Sequence, residues 1–231
     1  MIKAVIFDLD NTLMDFMKMK RMAVEAAVEA MIDAGLKIPR AEMIEKIYQV
    51  YDKEGIEDQQ IFNKVLTDKL GEIDYRILSA GIIGYRRAKE GSMSLYPHVH
   101  STLTDLAKMG IKMAIVSDAP RLPAWLRISA LGVQHYFDHV ISFDDIGERK
   151  PSAKPFLKVL ELLKMKPEEV MMIGDWAERD VVGAKRMGIK TVFARYGDVF
   201  GTKEKESGAD YEIDDIGALL AIVRKENNVV S

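Results

Sequence analysis

Side chains that can carry acid–base and phosphate chemistry stand at or just after the ends of four apolar runs. The first run, AVIFDLD, closes with two aspartates two positions apart. The later segments VSDAP, GERKPSAKPF and MIGDWAERD add further acids, a hydroxyl and a lysine. The full set is Asp8, Asp10, Ser117, Asp118, Lys150, Asp175 and Asp180.

The mixture of these side chains indicates a phosphoryl-handling site. Clustered carboxylates raise one another's pKa, so such a cluster is stable at neutral pH mainly when a hard divalent cation lies among them. We therefore expect Mg²⁺. A hydroxyl, a lysine and the N–H groups of turns beside the metal would suit a phosphoryl group, because phosphoryl transfer requires mostly positioning and charge neutralisation.

Each position alone has an ordinary structural explanation. A single aspartate after a strand is usually a turn or cap residue, and Ser117 could equally cap a helix. Lys150, before a proline, could be a solvated loop residue, and Asp180 could favour the dipole at a helix N-terminus. The combination of all of them in one chain favours the chemical interpretation.

The elements that must position these residues are buried strands. Short runs rich in Val, Ile and Phe are mostly continuous rather than alternating, which is typical of strands buried on both faces. Segments with helical apolar spacing lie between them, and such alternation predicts a doubly wound α/β fold with a parallel sheet. In that fold the carboxyl ends of the strands meet at one crevice. The predicted strands are 3–8, 111–117, 139–143, 169–174 and 189–194, and the predicted helices are 99–109, 121–131, 153–164 and 178–187.

Residues 16–90 interrupt this alternation with one helical pattern after another. A block of about 75 residues is far longer than an ordinary connection between two strands. We therefore predict a second, smaller all-helical domain at 16–92, inserted into a Rossmann-like core formed by 1–15 and 93–231.

Composition limits the class of protein and its partners. The 231 residues carry a formal net charge of −3 with acids and bases intermixed, which argues against a nucleic-acid binder. The chain has no cysteine, which excludes disulfides and Cys-ligated zinc. No apolar stretch reaches the roughly 18 residues of a membrane helix, and two aspartates interrupt the N-terminal run. We expect no membrane or nucleic-acid partner and a cytoplasmic location, while the oligomeric state stays open.

The ordered motifs resemble the haloacid dehalogenase-like (HAD) hydrolase superfamily, in its phosphatase branch with a helical cap. The resemblance is carried by DLDNT at 8–12, VSD with Ser117, RKP with Lys150 and GDWAERD with Asp175 and Asp180. It extends over the whole chain, because an all-helical cap between the first two motifs is common in that family. It implies a Rossmann-like core and a phosphoric monoester hydrolase that uses Mg²⁺ and an aspartyl-phosphate intermediate.

The resemblance also implies a role for each residue. Asp8 would be the nucleophile, and Asp10 the general acid and then the general base. The metal would be held by Asp8, the backbone carbonyl of Asp10 and Asp175, with Asp180 acting through a metal-bound water or by orienting the lysine. Ser117, Asp118 and Lys150 would bind the substrate phosphate.

Three other functions compete with a phosphatase acting on a small phosphorylated metabolite. A phosphomutase of the β-phosphoglucomutase type shares both aspartates and the helical cap, so the sequence separates it poorly. A 2-haloacid dehalogenase would lack Asp10, because a halide leaving group needs no proton. A non-enzymatic relative that binds a partner would be expected to have lost a catalytic residue. The sequence does not name the substrate.

Overall fold

The computed structural model describes residues 1–199, 201 and 206–228. The chain divides into two compact units, one formed by 1–15 with 94–231 and the other by 16–93. We call them the sheet unit and the helical unit. Residues 200, 202–205 and 229–231 of the predicted core lie outside the described part of the chain.

The helical unit is built on an apolar interior. Its helices are α1 (Phe16–Asp33), α2 (Arg40–Glu54), α3 (Ile61–Leu70) and α4 (Tyr75–Ser92). Val28, Met31, Met43, Ile47 and Val65 are fully buried in one cluster at its centre. Helices α1 and α4 pack closely, since a Cβ on Gly84 would lie 2.6 Å from the carbonyl oxygen of Ala26. The absence of a side chain at position 84 therefore allows this packing.

Six parallel strands form one sheet in the described part of the sheet unit. The strands are β1 (Ala4–Phe7), β2 (Lys112–Val116), β3 (His139–Ile141), β4 (Val170–Gly174), β5 (Lys190–Ala194) and β6 (Tyr211–Ile213). Their order in the sheet is β3–β2–β1–β4–β5–β6, so β1 lies between β2 and β4, with Ile6 opposite both Ala114 and Met172. The predicted doubly wound α/β fold is confirmed, and β6 is an additional strand that the sequence did not reveal.

Helices cover both faces of the sheet. They are α5 (Val99–Lys108), α6 (Arg121–Ala130), α7 (Phe143–Ile146), α8 (Ala153–Leu163), α9 (Val182–Arg186) and α10 (Ala218–Glu226). Val5 and Phe7 join one apolar cluster with α5, α6 and α10, whereas Ala4 and Ile6 join a second cluster with α8 and α9. This alternation is the two-residue side-chain period of a strand buried on both faces.

The segment after β4 differs from the predicted helix 178–187. It begins as a π-helical turn, Ala177–Val181, and becomes α9 only afterwards. The Asp180 carboxylate accepts a hydrogen bond from the N–H of Trp176 at 3.1 Å. A Cβ on Gly174 would lie 2.3 Å from that carboxylate, so this glycine makes room for an acid directed back toward the strand end. No helix in the described residues is both long and apolar enough to cross a bilayer.

Candidate active site

The first strand delivers Asp8 to the sheet edge and then turns sharply. The N–H of Asp8 still donates to the carbonyl of Ile173 on β4 at 2.9 Å, so sheet pairing reaches this aspartate. Asn11 takes a left-handed conformation with φ of 61°, and the chain folds back on itself within a few residues. A Cβ on Gly197 would lie 1.7 Å from the carbonyl oxygen of Asn11. The turn that presents the aspartates is thus fixed by the backbone that follows β5.

A buried lysine joins two of the acids. Lys150 Nζ lies 2.5 Å from Asp8 Oδ1 and 2.6 Å from Asp180 Oδ1, and it also donates to the carbonyl of Val116 at 3.0 Å. All three side chains of this ion pair network are buried. Asp8 and Asp180, which lie 142 and 30 positions from Lys150 in the sequence, therefore meet it at the carboxyl edge of the sheet.

A third carboxylate completes the cluster. One carboxylate oxygen each from Asp8, Asp175 and Asp180 lies within 4.8 Å of the others. The hydroxyl of Thr12 donates to Asp175 at 3.1 Å and lies 3.4 Å from Asp8. Buried carboxylate oxygens at this separation are the donor set that a hard divalent cation prefers, so these residues fit Mg²⁺.

The electrostatics of the cluster are unfavourable without additional positive charge. Burial raises the pKa of Asp8 to about 7, with Asp180 and Asp10 adding to the effect and Lys150 opposing it. Burial and the charges of Asp8 and Asp180 likewise raise the pKa of Asp175 well above its usual value. Burial also raises the pKa of Asp180. Burial works against the charge of Lys150, but the surrounding carboxylates prevail and raise its pKa. One lysine thus compensates only part of the negative charge.

The loop after β2 lies beside this cluster. Ser117 is buried, and its hydroxyl accepts a hydrogen bond from the N–H of Ala119 at 3.2 Å. The two carboxylate oxygens of Asp118 accept from the N–H of Lys150 at 2.9 Å and from Arg179 at 3.0 Å. The side chain of Asp118 therefore joins the loop after β2 to the loop of Lys150 and to the π-helical turn after β4.

Asp10 is paired with an arginine that the sequence analysis missed. Arg127 Nη1 on α6 donates to Asp10 Oδ2 at 2.7 Å, and the arginine is only 1% exposed. The helical spacing puts Arg127 on one face of α6 with Ala124 and Ile128. The sequence does not show that this face is the buried one, because Leu122, Trp125 and Leu126 on the same helix are apolar and exposed.

Aromatic side chains also make contacts at the site. The Arg179 guanidinium stacks 3.6 Å from the ring centroid of Trp176, directly after Asp175. The Tyr196 hydroxyl donates to the carbonyl of Thr12 at 2.8 Å and so holds the turn after β1. The contact between Tyr196 and Thr12 has no local sequence signal, because the two residues are 184 positions apart. Trp176 and Arg179 are only three positions apart, which is the spacing of neighbours on a helical turn.

Comparisons with known proteins agree with this geometry. The family model described as haloacid dehalogenase-like hydrolase matches residues 5–194. The chain is 32% identical over 224 residues to a glyceraldehyde 3-phosphate phosphatase of Methanocaldococcus jannaschii, covering 97% of this chain and 98% of that protein. It is 31% identical to a phosphoglycolate phosphatase of Aquifex aeolicus over 195 residues, with 84% and 85% covered.

A solved structure shows the same architecture. The HAD phosphatase of Thermococcus onnurineus superimposes with a TM-score of 0.71 at 27% identity, covering 96% of this chain and 98% of that one. The resemblance drawn from the four motifs is thereby confirmed. This chain belongs to the family of haloacid dehalogenase-like hydrolases.

Proposed function

We propose that this protein is a Mg²⁺-dependent phosphatase that hydrolyses a small phosphorylated metabolite through an aspartyl-phosphate intermediate. The observation that carries the proposal is the convergence of Asp8, Asp175 and Asp180 around Lys150 at the carboxyl edge of a parallel sheet. Membership of the HAD-like hydrolase family and relatives named as phosphatases support it.

In this proposal Asp8 attacks phosphorus. The Asp8–phosphorus bond forms as the bond to the leaving oxygen breaks, and Asp10 gives its proton to that oxygen. Asp10 then takes a proton from a water whose oxygen displaces Asp8 and releases inorganic phosphate. Two displacements replace one difficult step, and the proton transfers each contribute roughly 10²- to 10⁴-fold.

The acids would hold the metal. Asp8 and Asp175 supply carboxylate oxygens, Asp10 supplies its main-chain carbonyl, and Asp180 contributes through a bound water or through its ion pair with Lys150. Bound Mg²⁺ would neutralise charge on the phosphoryl oxygens. The high pKa of Asp175 supports this role, because the metal would favour the ionised form that burial disfavours.

Ser117, Asp118 and Lys150 would bind the phosphoryl group. The buried Ser117 hydroxyl and the Lys150 ammonium are donors of the kind that phosphoryl oxygens accept. Because both carboxylate oxygens of Asp118 accept other hydrogen bonds, its contribution to phosphate would come from the main-chain N–H. Lys150 would also keep the Asp8 carboxylate oriented for attack.

The helical unit, in this proposal, is the inserted cap domain expected at 16–92, and the protein acts in the cytoplasm on free metabolites. The names of the two relatives make glyceraldehyde 3-phosphate and 2-phosphoglycolate the first substrates to test. Asp10 argues against the dehalogenase alternative, since expelling halide needs no proton donor.

The test is a screen of phosphorylated metabolites and an aryl phosphate in Mg²⁺ and in EDTA. Released inorganic phosphate is measured in parallel with isomeric sugar phosphates, which a mutase would form instead. We expect phosphate release that is lost in the chelator and restored by added Mg²⁺. Full activity in EDTA would contradict the metal assignment, and isomerisation without phosphate release would identify a mutase.

A further inference from the structure

The buried arginine on α6, Arg127, lies among apolar core residues and not at the protein surface. Ala124, three residues before Arg127, and Ile128, which follows it directly, are fully buried on one face of α6 in the cluster that packs on the sheet. Arg127 shares that face and is one of the largest fully buried side chains of the described residues. Because α6 packs against the core through this face, the guanidinium of Arg127 is held in a fixed position at the edge of the sheet.

Stability alone is a poor reason to keep such a pair. Desolvating two charges can cost as much as their attraction returns, and apolar residues of similar volume often serve a core equally well or better. In the Arg127–Asp10 contact, Nη1 of a buried cation donates to Oδ2 of a partly exposed carboxylate at 2.7 Å. The partner of Arg127 is Asp10, the proposed general acid and base, rather than a surface acid. The ion pair is therefore better explained by a role in catalysis than by a role in stability.

We propose that Arg127 is a positioning residue for proton transfer, holding the Asp10 carboxylate in the orientation from which it serves both half-reactions. This inference rests on the proposed phosphatase function and on Asp10 as its acid and base. Through its hydrogen bond to Oδ2, Arg127 holds the Asp10 carboxylate in one orientation. Its planar donor fork restricts the carboxylate more than a point charge would.

The two half-reactions balance with this assignment. In the first, Asp8 bonds to phosphorus, the phosphorus–oxygen bond to the leaving group breaks, and the Asp10 proton passes to the leaving oxygen. In the second, water bonds to phosphorus, the acyl-phosphate bond to Asp8 breaks, and the water proton passes to Asp10. In this proposal Arg127 keeps its own protons throughout and acts only through Asp10.

A double-mutant cycle separates positioning from structural support. Arg127→Met and Asp10→Asn are made singly and together in the full chain, and phosphate release from an alkyl phosphate is measured at a temperature where each variant is folded. We expect Arg127→Met to lower kcat about 10- to 100-fold with Asp10 present, with KM changed less than about threefold. In the Asp10→Asn background the same change should cost less than about threefold, since the group being positioned is gone.

Arg121→Met is the matched control, because Arg121 is on the same helix and pairs with the carboxylate of Asp145 at 2.6 Å. It should leave kcat and KM unchanged. Equal losses from Arg127→Met in both backgrounds would show a merely structural role and overturn the proposal. So would unchanged kcat in the Asp10 background.

If Arg127→Met does not fold, the cycle is run with Arg127→Lys. Lysine keeps the charge but not the fork, so we expect a smaller loss of kcat, roughly 3- to 10-fold, again confined to the Asp10 background. Full activity of Arg127→Lys would overturn the proposal. Failure of the underlying function would look different, because the wild-type protein itself would then release no phosphate from any substrate.

Discussion

The two units of this protein treat charge in opposite ways. In the sheet unit, Asp8, Lys150, Asp175 and Asp180 are all buried within one cluster. In the helical unit, the interior is mostly apolar and ion pairs such as those of Arg40 with Glu25 and Glu29 lie on the surface. Lys20 is a buried charge there, but its ammonium group donates to the carbonyl of Ile56 at 2.6 Å and lies 4.3 Å from the ring of Tyr51.

This difference in where the charges lie indicates which charges serve catalysis and which have little effect on the fold. Burying apolar side chains and leaving charged ones in water stabilises a fold whose net free energy of unfolding is small. A cluster with more buried acids than bases is unfavourable for folding, and its raised pKa values show the unfavourable interaction. We therefore expect substitutions of the buried charges in this cluster to change catalysis strongly, and substitutions of surface charges on the helical unit to change it little.

The largest expected effect is on turnover. Asp8→Asn removes the proposed nucleophile while keeping the shape of the side chain, so kcat should fall by about 10⁴-fold or more. The matched control on the helical unit is Asp68→Asn, which breaks a 2.9 Å ion pair with Lys46 at the surface. Asp68→Asn should keep kcat within about twofold of wild type. Comparable losses in both variants, measured as initial rates of phosphate release, would erase the contrast between the units.

An effect of intermediate size is expected on the free energy of unfolding. Most substitutions in a core lower it, but Asp175→Asn should raise it. Asp175→Asn removes one buried negative charge and keeps an oxygen that can accept from Thr12. We expect the metal-free variant at pH 8 to unfold with a free energy about 1 to 3 kcal/mol higher than wild type. Urea unfolding in EDTA measures this, and a less stable variant would contradict the account.

The same variant gives a pH dependence with a definite sign. The folded-state pKa values of Asp8, near 7, and of Asp175 lie above their unfolded values. Between about pH 4 and 7 the folded protein therefore binds more protons, and its free energy of unfolding falls as pH rises. Metal-free wild type should lose stability across this range, and Asp175→Asn should lose less. Added Mg²⁺ should stabilise wild type at pH 8 far more than the variant.

The smallest expected effect is at the surface of the helical unit. Arg40→Ala removes the pairs with Glu25 and Glu29, both of which are solvent-exposed. Such pairs contribute roughly 0 to 1 kcal/mol each, so unfolding of the variant in urea should shift only slightly and the shift should shrink in high salt. A loss above about 2 kcal/mol would show that surface charge matters more to this unit than the comparison assumes.

The sequence predicted the fold where apolar pattern and position agree. The runs that form β1 and β4 are continuous and strongly apolar, so their burial and the acids at their ends could be read directly. The short strand β6, YEI, has too few apolar residues to be recognised. The π-helical turn after β4 was predicted as an ordinary helix. The spacing of its apolar residues is compatible with an α-helix and gives no sign of the hydrogen bond between Asp180 and Trp176.

The candidate site was predictable as a set of residues but not as a network. Parallel strands bring their carboxyl ends together, which is why Asp8 and Lys150 could be assigned to one place from the sequence. The pairing of Asp10 with Arg127 depends on how α6 packs on the sheet, and the double role of Asp118 depends on loop geometry. Such tertiary contacts leave no periodic signal in a single sequence.

The most direct test of the account is to trap the phosphoryl group on the protein. Asp10→Asn keeps the proposed main-chain metal contact but cannot accept the proton of the attacking water, so the second half-reaction should slow more than the first. Rapid quench of this variant with a labelled, activated aryl phosphate should show an acyl-phosphate that accumulates and maps to Asp8. Label on any other residue, or turnover at the wild-type rate, would contradict the assignment of nucleophile and acid–base.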